Sequence, residues 1–157
     1  MKLAELFDSK TEKLKWQKGQ DRWNTNFDID GLPFSMFIAL DELPDGSGKK
    51  GWEVAFGIDS FKLKRVKKKS AAIDKLKGKR WTDTHGILGT GNQGQVFSTV
   101  IAGLKEFVKS VKPEYISFSA DESSRMKLYR RMSKILGKSI GMKLVFDDSG
   151  DFILQKV

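Results

Sequence analysis

Three closely spaced glycines stand in "HGILGTGNQGQVFSTV", residues 85–100, between a short apolar run and a segment with helical periodicity. Backbone N–H groups at the start of a helix, aligned with the helix dipole, bind phosphate oxygens. Gly89, Gly91 and Gly94 formally match the G-x-G-x-x-G pattern of dinucleotide-binding folds. The nearest suitably placed acidic residue, Asp121, follows Gly89 by 32 positions rather than about 20. Two interpretations therefore stay open, a phosphate-binding loop and a tight turn that binds nothing.

A second residue with chemical potential is Tyr129 in "KLYRRM". A phenol with a pKa of about 10 can protonate a leaving thiolate, although the same side chain also packs well in a core. The chain has no cysteine, which excludes disulfides, thiolate metal ligands and a cysteine nucleophile. The single histidine, His85, excludes a two-histidine mechanism and is interpreted as a turn or surface residue. Magnesium or calcium sites made of carboxylates alone stay open.

Positive charge is concentrated in "KLKRVKKKSAAIDKLKGKR", residues 62–80. This basic segment holds ten Lys/Arg and one Asp, so it carries the whole net charge of +9. Such a block repels itself, stays solvated and suits the phosphate backbone of DNA or RNA, or an acidic protein. A solvated loop that binds nothing is the alternative. The basic side chains predicted to contact such a partner are Lys62, Lys64, Arg65, Lys67, Lys68, Lys69, Lys75, Lys77, Lys79 and Arg80.

The length of 157 residues and the hydrophobic content of 39% fit one globular domain over residues 1–157, with a basic loop or insert at about 60–80. No run of about 18 apolar residues is present, and the N-terminal residues carry charges too early for a signal peptide. We therefore expect a cytoplasmic protein that makes no contact with a membrane.

The N-terminal half predicts a helix followed by a strand meander. Leucines at helical spacing indicate an amphipathic helix within residues 2–16. In "NFDIDGLPFSMFIAL", apolar and polar residues alternate on either side of Asp30 and Gly31, which predicts a hairpin. Pro33 indicates an edge strand or a strand that begins just after it. The next strand, "WEVAFGI", places on one face Trp52, Val54, Phe56 and Ile58.

The C-terminal half predicts alternating strands and helices: a strand ending at Ile87 and Leu88, a helix that stops before Pro113, and the strand "EYISFSA". A second helix, "SRMKLYRRMSKIL", is predicted to end at glycine. The glycines predicted to end it are Gly137 and Gly141. Its predicted apolar face consists of Leu128, Met132, Ile135 and Leu136. A closing hairpin turns at Ser149 and Gly150. This order predicts an α/β (α+β) fold with a mixed, largely antiparallel sheet flanked by helices.

The stretch "GTGNQGQVFSTVIAGLKEFVKSVKPEYISFSADESSRMKLYRRM" resembles a block that recurs in small proteins of tailed bacteriophages. Continued to Val157, it is similar in layout to the acyl-CoA-binding half of the GNAT-type N-acetyltransferase superfamily, with a strand, a glycine loop, a helix, a splayed strand and a helix carrying Leu-Tyr. The resemblance covers residues 85–157, and residues 24–58 only as a meander. It implies a GNAT-like fold with Tyr129 at the position of the general acid. Backbone amides implied to bind the cofactor pyrophosphate are those of Gly89, Thr90, Gly91, Asn92, Gln93 and Gly94.

Three features depart from the superfamily pattern. The usual helices between the first two strands are not evident. Gly86 stands where Arg or Gln usually begins the glycine loop, and no acidic residue can be assigned as the general base. Two functions therefore stay open. The chain is expected to be a phage accessory protein that transfers an acyl group from acetyl-CoA or another acyl-CoA to an amine. Alternatively, it is a non-catalytic module that binds nucleic acid, or an acidic host or virion protein, through residues 62–80. Its expected location is the cytoplasm of the infected bacterium, or the virion.

Overall fold

The computed structural model describes residues 14–59, 62, 93–119 and 123–157. In this part of the chain, seven strands form one open, mostly antiparallel sheet in the order β1-β2-β3-β4-β5-β7-β6. The coarse prediction of an α+β protein with a largely antiparallel sheet is thereby confirmed. The elements are β1 (Trp16–Lys18), β2 (Arg22–Ile29), β3 (Leu32–Glu42), β4 (Lys50–Ile58), α1 (Gln93–Val111), β5 (Tyr115–Ser119), α2 (Ser123–Ile140), β6 (Met142–Asp148) and β7 (Asp151–Lys156).

The described residues fall into two compact units. The first unit contains residues 14–18, 23–37, 56–59, 62 and 93–100. The second unit contains residues 19–22, 38–55, 101–119 and 123–157. None of the described helices is long and apolar enough to cross a membrane.

In the first unit, a tight hairpin joins β2 to β3. Asp30 and Gly31 form its turn with φ angles of 50° and 79°. Positive φ at both central positions is the geometry of a type I′ turn, whose twist matches that of paired strands. The rings of Phe27 and Phe34 stack with centroids 5.5 Å apart. The predicted hairpin is confirmed.

Pro33 is not at an edge, because β3 lies between β2 and β4. The strand begins at Leu32, before the proline rather than after it, so both sequence-based expectations for Pro33 are wrong. The missing N–H of proline is tolerated at the start of a strand, where few ladder bonds are lost. The Pro33 carbonyl still accepts a hydrogen bond from the backbone N–H of Asp59 at 3.0 Å.

The helix predicted within residues 2–16 lies mostly outside the described residues. Residues 14–16, at the end of this range, are described and are not helical, and Trp16 begins β1. The Trp16 ring lies 5.3 Å from that of Trp23 on β2, and Thr25 Oγ1 donates a hydrogen bond to the Lys15 carbonyl at 2.7 Å. These tertiary contacts explain why extended backbone replaces the helical pattern here.

The helix predicted after the glycine loop is confirmed. It begins at Gln93, three residues before Val96, the first residue of its predicted apolar face. In the first unit, Phe97 packs edge-on against Phe56 with ring centroids 5.7 Å apart. In the second unit, Phe107 meets Trp52 in the same manner at 5.1 Å. The apolar face of the "WEVAFGI" strand is confirmed in outline, since Val54, Phe56 and Ile58 are buried and Trp52 is half-buried. The strand predicted to end at Leu88 lies outside the described residues.

The second helix continues through Gly137, so the prediction that it ends there is wrong. A Cβ on Gly137 would lie 2.6 Å from the Met142 carbonyl oxygen, and this glycine therefore permits close approach of the following strand. The helix ends at Ile140, before Gly141 with a φ of 71°. Its buried face includes Tyr129, Ser133 and Leu136. The side chains of the other predicted face residues, Leu128, Met132 and Ile135, lie outside the described residues.

The closing hairpin is confirmed. Ser149 and Gly150 form its turn with φ angles of 52° and 88°. The strand β7 pairs antiparallel with both β5 and β6 and separates them in the sheet. A bulge between Leu144 and Phe146 shifts the register of β6, and Val145 is exposed there.

Candidate functional site

The strands β4 and β5 run parallel but pair at only two positions, Trp52 with Ile116 and Glu53 with Ser117. Within the second unit, β4 continues to Ala55 and β5 to Ser119 without further pairing between them. In this described part of the chain, the pairing of β4 with β5 thus stops after Glu53 and Ser117. Backbone N–H and C=O groups at an unpaired strand edge can bind an extended ligand.

Glu53 lies at the position where this pairing stops. It stands directly opposite Ser117, so both side chains project from the same face of the sheet. Partial burial raises the pKa of Glu53, and the negative charges of Asp41 and Asp151 raise it further. A carboxylate whose pKa is raised accepts a proton more readily, which is the property required of a general base.

Sequence reasoning missed Glu53. The available signal was its position as the single charged residue inside the strand "WEVAFGI". The two carboxylates that shift its pKa come from distant segments, at the end of β3 and the start of β7, and only the folded sheet brings them near Glu53. Glu53 is therefore a candidate for the acidic residue that could not be assigned from the sequence.

Tyr129 lies on α2 with its side chain 6% exposed. Its ring centroid is 6.5 Å from that of Phe118 on β5. Phe118 follows Ser117, and successive strand residues point to opposite faces. The ring of Tyr129 therefore packs on the face opposite Glu53. The contact with Phe118 agrees with the packing interpretation of Tyr129, and its role as a general acid stays a prediction.

Most of the predicted pyrophosphate loop lies outside the described residues, namely Gly89, Thr90, Gly91 and Asn92. Gln93 and Gly94 are the first two residues of α1. The first N–H groups of a helix have no acceptor within it, so these two positions suit an anion. Binding of pyrophosphate at the loop stays a prediction, and His85 also lies outside the described residues.

Of the basic segment, the structure describes Lys62 alone, with an exposed side chain. Its backbone N–H donates to Asp59 Oδ1 at 3.1 Å, and Ser35 Oγ donates to Asp59 Oδ2 at the same distance. The carboxylate after β4 thus fixes the first residue of the segment. The basic residues outside the described part are Lys64, Arg65, Lys67, Lys68, Lys69, Lys75, Lys77, Lys79 and Arg80.

Among the described residues, no group of three or more His, Asp and Glu side chains is arranged to hold a metal ion. Comparison of the chain with family models, with curated proteins and with solved structures gives no match.

Proposed function

We propose that this chain is an acyl-CoA-dependent N-acyltransferase with a GNAT-like fold, and that the acyl-CoA enters between β4 and β5. The observation that carries the proposal is the parallel contact of these strands, which is limited to two residue pairs. The pantetheine arm of coenzyme A is extended and carries amide groups, so it can pair with open strand edges as a peptide does. The splayed strand implied by the sequence resemblance supports the same assignment.

In this proposal, the proton acceptor and the proton donor lie on opposite faces of the sheet. The amine approaches the thioester from the face of Glu53, whose carboxylate accepts the proton that the nitrogen loses as the C–N bond forms. The C–S bond then breaks, and the phenol of Tyr129, on the other face, gives its proton to the leaving thiolate. Solvent later removes the proton from Glu53 and restores that of Tyr129. The backbone amides of residues 89–94 hold the pyrophosphate, and the resemblance to phage proteins supports action in an infected bacterium.

Binding of acetyl-CoA tests the proposal. Ligand at 100 times its dissociation constant would stabilise the folded chain by about 2.7 kcal/mol, which is visible as a rise in melting temperature. Glu53→Gln should retain this rise but lower kcat/KM by about 100-fold at neutral pH, because only the proton acceptor is lost. Asp28→Asn, at an exposed site on β2, is the control and should change neither the rise in melting temperature nor kcat/KM. Absence of a shift with millimolar acetyl-CoA and longer acyl-CoAs would overturn the proposal.

A further inference from the structure

Three carboxylates of the second unit interact electrostatically at the last residue pair of β4 and β5. They are Asp41 at the end of β3, Glu53 on β4 and Asp151 at the start of β7. Ser119 stands opposite Asp151 and two residues after Ser117, so Asp151 projects from the face that carries Glu53. Asp41 lies close enough to act on Glu53 electrostatically, as Asp151 also does.

The described part of the chain does not neutralise these carboxylates. Within the described residues, none of the three forms an ion pair. Asp41 Oδ1 accepts a hydrogen bond from the backbone N–H of Glu42 at 2.7 Å, and Asp151 Oδ1 accepts one from Ser119 Oγ at 2.8 Å. Each aspartate keeps a second oxygen for another donor. In a chain of net charge +9, a group of uncompensated negative charges is suited to a cation from outside.

A buried hydroxyl adds an independent indication of a ligand. Ser117 is 4% exposed, and its Oγ forms no hydrogen bond with the described residues. Its register places it beside Glu53, on the same face. Buried hydroxyl groups normally have a partner, and one without a partner calls for an explanation. An amine nitrogen beside Glu53 can donate one hydrogen to the carboxylate and another to Ser117 Oγ.

We infer that this face binds a polycation, with one amine beside Glu53 and Ser117 and a second cationic centre at Asp41 or Asp151. The inference rests on the proposed function, because it identifies this polycation as the acyl acceptor. The ligand needs a primary amine and a second positive charge, separated by a short aliphatic chain. A free polyamine and a lysine-rich peptide segment both have this chemistry. A monoamine would compensate one carboxylate and is a poorer ligand.

Calorimetric titration at low salt tests the inference with spermidine, butylamine and a Lys-Arg-Lys peptide as probes. Asp41→Asn and Asp151→Asn should each weaken spermidine binding about twofold to fivefold, the range for exposed ion pairs, and should leave butylamine binding unchanged. Asp28→Asn removes an exposed carboxylate from β2 and should change neither spermidine binding nor butylamine binding. With acetyl-CoA present, the first two variants should raise KM for spermidine. If the peptide binds more tightly than spermidine, the site is supported and its ligand is a lysine-rich protein segment.

Two outcomes separate this inference from the proposed function. If acetyl-CoA binds but spermidine binds no better than butylamine, or Asp28→Asn weakens spermidine as much as Asp41→Asn does, the inference is overturned and the transferase proposal stands. If spermidine binding depends on Asp41 and Asp151 while no acyl-CoA binds, the transferase proposal is overturned and the polycation-binding face stands.

Discussion

Glu53 and Asp45 carry similar carboxyl groups whose pKa values move in opposite directions. Asp45 accepts hydrogen bonds from Ser47, including one from its backbone N–H at 3.0 Å, and these favour the ionised form and lower the pKa. Partial burial and two negative neighbours raise the pKa of Glu53. The same functional group thus has a lowered pKa in one place and a raised pKa in the other, because hydrogen-bond donors and charges differ around each group.

The raised pKa predicts a pH-dependent gain in stability for Glu53→Gln. Above its folded-state pKa, ionised Glu53 is less favourable in the folded chain than in the unfolded one, so the uncharged glutamine should raise the melting temperature at pH 7. The gain should shrink as pH falls through the raised pKa and vanish below the ordinary value of 4.5. Thermal unfolding of both proteins at several pH values measures it. Glu42→Gln, at the exposed end of β3, is the control, and an equal gain there would contradict the prediction.

Tyr129→Phe separates proton transfer from packing. The substitution retains the aromatic ring beside Phe118, which lies 6.5 Å away between centroids. If the phenol protonates the thiolate, kcat should fall about 100-fold and the melting temperature should change little. Steady-state kinetics and thermal unfolding on the same samples distinguish the roles. A variant that is less stable but fully active would assign the hydroxyl to structure alone.

The local sequence pattern predicts the helices and hairpins of this chain well. It predicts poorly the positions where a tertiary contact overrides the local pattern. The turns at Asp30 and Ser149 follow from the conformational freedom of the adjoining glycines, which is a property of the sequence itself. Gly137 carries the same local signal, yet it stands within α2 because the backbone of Met142 passes close to it. Such an approach depends on the tertiary structure, so a helix-ending glycine and a contact glycine look alike in sequence.

The candidate site was predictable only in part for the same reason. Tyr129 could be identified as a candidate from the sequence alone, because the resemblance depends on the residues around it. The role of Glu53 depends on three facts about folded strands: the end of the β4 and β5 pairing, the partner Ser117, and the nearby carboxylates. Register between strands distant in sequence determines all three, and no local pattern encodes it.

At the scale of elements, Gly137→Ala should destabilise the second unit. The added methyl would lie 2.6 Å from the Met142 carbonyl oxygen, which is backbone and cannot rotate away. Overpacking of this kind costs about 1–3 kcal/mol, and the higher helix propensity of alanine returns about 1 kcal/mol. Urea unfolding should therefore show a net loss. Lys138→Ala, one position further at an exposed site, is the control, and a more stable Gly137→Ala would show that β6 moves freely.

Over the whole molecule, the entire charge excess lies in residues 62–80, whose first residue is held by Asp59. If this segment binds nucleic acid, the binding should be independent of sequence, because phosphate contacts do not read bases. Contact with about five phosphates gives a slope of log affinity against log salt of about −4 to −5 for duplex DNA. Gel-shift titration of the triple variant Lys67→Glu, Lys68→Glu and Lys69→Glu should show uniform weakening. No retardation by the unaltered chain at micromolar concentration would instead favour an acidic protein partner.

The position of β7 between β5 and β6 has a consequence for synthesis on the ribosome. Translation delivers β6 first, but among the described strands β6 pairs only with β7, which is made later. While β7 is inside the exit tunnel, β6 has no neighbour to pair with, and β5 lacks its antiparallel partner. This part of the sheet therefore closes after β7 has emerged. Nascent chains stalled with β7 inside the tunnel should be cut readily by protease between β5 and β6, and extension by a flexible linker that releases β7 should protect them.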